Sequence, residues 1–270
     1  MKKFALLFAC AAVALMTGCE GDSPSGTGGD MPVVTGVTID WAASGGADIV
    51  IGWSAVTDAE GYKVYFSETS GGTLEEVGDV AGTTYTHTAE CAGYYYVTAY
   101  NGEDSSSDYS TAVNTMPNII NDTYIIYDQY SPASYHSGIF FGENGATTGL
   151  ASAPEFYQDI YAYDEVEPSG DPAAAFFYSG DVGTYGDAYH TEMAAATSNY
   201  GAAPSTGYWT TGYIDDGDVI FALLENGNYI KIYVIDEFPD GVTEHGTGVE
   251  LAYEYQTHEG ITLFTSDASW

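Results

Sequence analysis

The chain contains no arginine and only four lysines in 270 residues. Two of them, Lys2 and Lys3, stand at the extreme N-terminus, so Lys63 and Lys231 are left among 39 acidic residues. A surface this negative repels nucleic acid and anionic lipid headgroups. Without guanidinium forks it cannot clamp phosphates in the usual bidentate way. Nucleic-acid partners and metal-free kinase or nuclease chemistry are therefore set aside. Cysteine is equally scarce, with Cys10, Cys19 and Cys91 only. Cys91 lies between Ala89-Glu90 and Ala92-Gly93, with no basic neighbour to activate it, and reads as a partly buried, inert thiol. The motifs H-E-x-x-H, G-x-S-x-G and the P-loop are absent. No catalytic residue is assigned, and the chain reads as non-enzymatic.

What is present begins with a leader pattern. Lys2 and Lys3 precede an apolar run, Phe4 to Met16, too short to span a bilayer as a stable helix. No second run of spanning length follows. The leader ends Leu15-Met16-Thr17-Gly18-Cys19, which resembles the lipobox of a bacterial lipoprotein, with Met16 where leucine is commoner. The resemblance implies removal of residues 1–18 and lipidation of Cys19. Cys91 would then be left without an intrachain partner for a disulfide. Each buried acyl methylene contributes about 0.8 kcal/mol, so several chains give lasting membrane attachment. Residues 19–32, rich in Gly, Ser, Pro and Asp, read as a flexible lipidated tether. The implied location is exported and lipid-anchored at the cell envelope. Glu20, where an aspartate would favour inner-membrane retention, points to the outer membrane and cell surface.

The acidity does not read as a disordered tail, because 45% of residues are hydrophobic and 15% aromatic. Adaptation to saline surroundings is the simpler explanation, and capture of cations the sharper one.

From Val33 onward, short β-rich runs alternate with turn signals. Ile49, Ile51 and Trp53 fall on one face of a strand, as do Tyr62, Val64 and Phe66, and then Tyr95, Val97 and Ala99. Thr83 to Thr88 is another run. Asp58-Ala59-Glu60-Gly61 and Ser70-Gly71-Gly72 punctuate them. Such spacing argues for a sandwich, with Trp53 buried between its sheets. Trp53, Gly61-Tyr62-Lys63-Val64-Tyr65, Tyr95-Tyr96-Val97-Thr98-Ala99-Tyr100-Asn101 and Ser106 to Ser110 together resemble a fibronectin type III domain over residues 33–116. Gly93 stands where that family often has its corner tyrosine. Either Tyr94 substitutes by a one-residue shift or the corner is held otherwise. The absence of arginine removes an Arg-Gly-Asp loop. The resemblance implies an immunoglobulin-like spacer or general binding module.

After the linker Asn114–Asn118, residues 119–270 read as a second β-sandwich. Candidate strands are Thr123–Tyr127, Gly138–Phe141, Gln158–Tyr163, Ala174–Tyr178, Asp218–Leu224, Tyr229–Ile235, Val249–Tyr255 and Ile261–Thr265. Asn226-Gly227 marks a hairpin, and His258-Glu259-Gly260 another, so the last four strands read as an antiparallel meander. The Gly-, Ala-, Ser- and Tyr-rich stretch Gly180–Gly212 reads as a long loop with one short helix near Glu192–Ala196. Asp218 to Leu224, Gly227 to Ile232, Glu254-Tyr255-Gln256 and Asp159-Ile160-Tyr161 resemble haemophore-like lipoproteins of the HmuY type, which implies haem capture through a histidine pair. Lys231, a lone mid-strand cation, is expected to pair with a nearby carboxylate.

The candidate ligand-binding residues are His136, His190, Tyr208 and Trp209. The two histidines, or His190 with Met193, offer donors suited to haem iron, although no C-x-x-C-H motif occurs. The others are His87, His245 and His258. Asp215, Asp216 and Asp218 offer three carboxylates in one turn to calcium, without the longer EF-hand register. Similar acidic clusters are Asp236-Glu237 with Asp240, and Asp58 with Glu60. Tyr185, Tyr189, Tyr200, Tyr208, Trp209 and Tyr213 offer aromatic faces for stacking on sugar rings or a flat ligand.

The sequence therefore describes an all-β, two-sandwich exported lipoprotein that binds or supports at the cell surface without catalysis. Its partners are the membrane, through the anchor, and a glycan, protein or small ligand. It requires no assigned cofactor. Alternatives are capture of haem or another small ligand by the second sandwich, and an accessory role in carbohydrate binding or hydrolysis, where two carboxylates would have to meet in a cleft.

Overall fold

The computed structural model describes residues 31–102, 104–106, 108–128, 134–153, 156–165, 174–182, 188–238 and 248–270. The leader, Cys19 and the tether lie outside these residues, as do Tyr185, Asp240 and His245. The described residues form strands and turns with no helix, and none is therefore a helix long and apolar enough to cross a membrane.

The first sandwich contains β1 (Thr38–Ile39), β2 (Asp48–Gly52), β3 (Gly61–Ser67), β4 (Glu75–Val80), β5 (Thr84–Thr88), β6 (Tyr94–Asn101), β7 (Asp104–Ser105) and β8 (Val113–Asn114). One sheet runs β1-β2-β5 and the other β4-β3-β6-β7, with β8 also on β6. All pairs are antiparallel. Alternation decides the faces: Ile49, Ile51, Tyr62, Val64, Phe66, Tyr95, Val97 and Ala99 all turn inward. Trp53 is buried as expected, its ring edge-on to Tyr62 at 5.5 Å. Thr115 ties down the corner at Gly93. Its hydroxyl accepts from the Gly93 N–H at 3.0 Å, and its own N–H donates to the Gly93 carbonyl at 2.9 Å. A Cβ at Gly93 would meet the Phe66 ring at 2.3 Å, so the ring leaves no space for a side chain there.

The second sandwich contains β9 (Asn118–Tyr127), β10 (Gly138–Phe140), β11 (Thr147–Gly149), β12 (Ile160–Glu165), β13 (Ala174–Ser179), β14 (Glu192–Ala195), β15 (Thr211–Tyr213), β16 (Val219–Leu223), β17 (Tyr229–Phe238) and β18 (Gly248–Tyr255). Its sheets run β11-β10-β12-β13-β15 and β14-β16-β17-β18-β9. Their inner faces share a core that includes Ile126, Ile139, Phe177, Ile220, Ile232, Leu251 and Tyr253. The Asn226-Gly227 hairpin forms as expected, with Gly227 at φ 83°.

Two expectations are corrected. The segment Glu192–Ala196 is not a helix. Residues 192–195 form β14, paired with β16 so that Met193 lies opposite Ala222. A second pair of backbone bonds ties Met193 to Trp209, closing the long Gly-rich stretch on itself. Nor does Ile261–Thr265 complete a meander. The edge beside β18 is taken by β9, and the chain after Gly260 crosses to the first sandwich.

That crossing fastens the two sandwiches. The Gly46 N–H donates to the Gly260 carbonyl at 2.8 Å, and the Thr262 N–H to the Gly46 carbonyl at 3.0 Å. The Ala92 N–H donates to the Phe264 carbonyl at 2.7 Å. On its other side the tail pairs with residues 201–203. Ile261 and Leu263 enter the core of the first sandwich, while Phe264 packs on Phe221 of β16. Cys91 is buried at this seam, with no room for a side chain at Gly201, where a Cβ would lie 2.4 Å from the cysteine Cβ. Burial pushes the Cys91 thiol up to about 11, so the inert thiol expected from its neighbours is what the fold provides.

Candidate functional site

A cleft of about 240 Å³ opens at one end of the second sandwich, lined by Phe140, Phe141, Asp159, Tyr189, Leu224, Glu225 and Asn226. Four segments apart in sequence build it. The end of β10 brings Phe140 and Phe141, and the approach to β12 brings Asp159. The β16–β17 hairpin brings Glu225 and Asn226, with Tyr189 arriving just before β14.

Asp159 is the unusual member, being 3% exposed. Its backbone is pinned on both sides, its N–H donating to Ile139 and its carbonyl accepting from Gly180. Its Oδ2 accepts the Phe141 N–H at 2.7 Å. That is its only side-chain hydrogen bond among the described residues. Burial pushes the carboxyl up to about 7, against the opposing Phe141 bond, and the nearby Glu225 charge adds to the rise. Glu225 is exposed and its Oε2 accepts the His190 N–H at 3.2 Å.

The cleft wall is aromatic. Phe140 is 38% exposed. Half-buried Tyr189 stands beside it, the ring centroids 5.7 Å apart at an interplanar angle of 44°, and Tyr157, outside the lining and 49% exposed, lies 6.0 Å from Tyr189 at 46°. The rings are tilted to one another and do not make one flat platform.

His136 and His190 are both exposed. The Nδ1 of His136 lies 2.8 Å from the Thr148 hydroxyl. His190 Nδ1 lies 2.7 Å from Asp181 Oδ2. Neither lines the cleft. Met193 is withdrawn into the core at 0% exposure. With His190 exposed and Met193 sealed in the core, the two do not form a ligand pair. Trp209 packs against the core and covers Gly212. The Tyr208 phenol is pushed up by burial, then by Tyr229. Of the described aromatics singled out around the Gly-rich stretch, Tyr189 alone lines this cleft.

Asp215, Asp216 and Asp218 serve the turn they belong to. Asp218 Oδ2 accepts the Asp215 N–H, Asp215 Oδ1 the Asp216 N–H, and Asp216 Oδ1 the Glu237 N–H. Among the described residues no three His, Cys, Asp or Glu side chains gather closely enough to hold a metal ion.

Lys231 does meet a carboxylate. It is fully buried, 3.6 Å from Glu254 Oε1, its partner across β17 and β18. Its ammonium donates to the carbonyls of Thr265 and Asp267 at 2.9 and 2.6 Å. Glu254 accepts from Tyr233 and from the Thr265 N–H and hydroxyl. The pair is an anchor for the tail.

Among solved structures, a fibronectin type III-like protein from Clostridium thermocellum matches at 25% identity, over 30% of this chain and 86% of its own, with a TM-score of 0.27. The fibronectin type III domain of human fibronectin type III domain containing protein 3 matches at 20% identity, over 34% and 89%, with a TM-score of 0.27. Pectate lyase PelI from Erwinia chrysanthemi, solved with tetragalacturonic acid, matches at 17% identity, over 31% and 29%, with a TM-score of 0.25. No family model and no curated protein matches the chain. The strand order of residues 31–116 is that of a fibronectin type III-like sandwich.

Proposed function

We propose that the protein is an exported lipoprotein, held at the outer face of the cell envelope through Cys19, that receives a small ligand in its second sandwich without catalysing a reaction. The observation that carries the reading is the cleft at Asp159. A nearly buried carboxylate with one hydrogen-bonded oxygen, set among Phe140, Phe141 and Tyr189, is the usual composition of a ligand site: apolar walls and few polar groups. The fibronectin type III-like sandwich is a support in this reading, joined to the ligand-bearing body by the tail.

At about 240 Å³ the cleft is smaller than the roughly 300–1,000 Å³ typical of sites for drug-sized molecules. That size favours a small headgroup over a haem macrocycle. Anchoring is tested with Cys19→Ala in full-length protein. The variant is expected to leave the membrane fraction, as unprocessed or soluble protein. Membrane association equal to wild type would end the lipoprotein reading.

A further inference from the structure

We propose that the Asp159 cleft takes an organic cation, a small alkylammonium or quaternary ammonium group. The inference deepens the ligand-binding reading and rests on it.

Three observations carry it. The first is the lining's polar chemistry. Asp159 and Glu225 are acceptors when ionised, and among the described residues neither oxygen pair is neutralised by a lysine. Lys63 pairs with Glu76 and Lys231 with Glu254, both elsewhere. Asn226 already donates to Tyr255 and accepts from Asn228, and the Tyr189 hydroxyl is the other polar side-chain group of the lining. A ligand entering here finds acceptors and negative charge.

The second is ring geometry. A cation is attracted to an aromatic face within about 6 Å of the ring centroid. Phe140 and Tyr189 stand 5.7 Å apart at 44° and both line the cleft, so a group seated in it lies within reach of both rings. A pyranose would be better served by a coplanar wall on which its C–H face lies flat. The third is the field. With 39 acidic residues and four lysines, the whole chain attracts cations and repels anionic ligands.

The cation should also sense pH through Asp159. The groups around that carboxyl are Glu225 from the hairpin, Tyr253 from β18, and Tyr189 from the segment before β14. His190 beside them has its ring on Asp181. Tyr253 is pushed up by burial and stays neutral. Below about pH 7 Asp159 carries a proton that an arriving cation must displace. Affinity therefore rises from pH 6 to pH 8.

The test is calorimetric titration of the purified full chain with choline chloride in 1 M NaCl, where screening within about 3 Å suppresses diffuse counter-ion uptake. The comparison ligands are 3,3-dimethylbutan-1-ol, the uncharged shape mimic of choline, and methyl glucoside. Expected is saturable choline binding, at least tenfold tighter than the alcohol and stronger at pH 8 than at pH 6. Asp159→Asn and Phe140→Ala should each weaken it at least tenfold while keeping a cooperative melt. Equal binding of the alcohol, or saturable binding of the glucoside in place of choline, overturns the cation and leaves the cleft a ligand site. Failure of all three to bind removes the inference together with the ligand-binding reading beneath it.

Discussion

At the scale of single residues, Asp159 ties the site to stability. In the unfolded chain its carboxyl titrates near 3.9, whereas burial moves it to about 7 in the fold. Between those values the native state holds a proton that the unfolded state has released. Stability from this group is complete below about pH 4, falls as pH rises through 7, and is constant above. A shift of this size corresponds to about 4 kcal/mol. Asp159→Asn keeps an oxygen for the Phe141 N–H and never ionises. Its denaturant stability should therefore fall less between pH 4 and pH 8 than that of wild type, and at pH 8 should exceed it. Chemical denaturation of both proteins across that range gives the comparison, and parallel curves would contradict the burial of a carboxyl there. The rest of the acidic surface acts on both proteins alike and cancels in the difference. The residue was visible in the sequence only as a charge at the head of an apolar run, Asp159-Ile160-Tyr161. Its companions Phe140, Tyr189 and Glu225 lie on other segments of the chain, with no spacing to connect them.

At the scale of elements, strands whose partners lie close in sequence were legible. Alternation placed Tyr62, Val64 and Phe66 inward, and Asn-Gly placed the β16–β17 turn. What failed was local preference against distant pairing. Glu-Met-Ala-Ala-Ala has strong helix formers, yet its partner β16 makes it a strand. The tail failed for the same reason, since Ile261 and Leu263 find their places against Gly46 and Ala202 rather than beside β18. The tail gives the next prediction. Lys231 and Glu254 are buried together and hold residues 265–267. Burial lowers the Lys231 pKa, opposed by Glu254, so the pair survives on its hydrogen bonds. Lys231→Ala leaves an uncompensated buried carboxylate and should cost about 3–5 kcal/mol. Leu263→Ala, a core truncation, should cost about 2–5 kcal/mol. Because Leu263 belongs to the first sandwich's core but to the chain's last segment, its loss should weaken protection of the first sandwich as well. Hydrogen exchange on β2, β3 and β6 reads this. Unchanged protection there, with a lowered melting temperature, would show that the tail stabilises the second sandwich alone.

At the scale of the whole molecule, charge opposes what the tail and the two cores achieve. Lysines are nearly absent, and among the described residues Lys63 with Glu76 and Lys231 with Glu254 are the lysine–carboxylate ion pairs. Folding brings the remaining carboxylates closer than in the unfolded chain, and their repulsion favours expansion. Sodium chloride shortens the Debye length from about 30 Å at 0.01 M to about 3 Å at 1 M. The melting temperature should therefore climb steeply with salt and level off near molar concentration. Calcium separates screening from a specific site. The carboxylates of Asp215, Asp216 and Asp218 already accept backbone N–H groups of their own turn and of Glu237. Calcium would have to compete with those bonds. At a fixed high sodium concentration, millimolar calcium should leave the melting temperature where it was. A saturable rise following RT ln(1 + [L]/Kd) would instead establish a cation site in the fold. A melting temperature flat between 0.01 and 1 M NaCl would remove repulsion as the force opposing compaction, and with it the saline-habitat explanation of 39 acids beside four lysines.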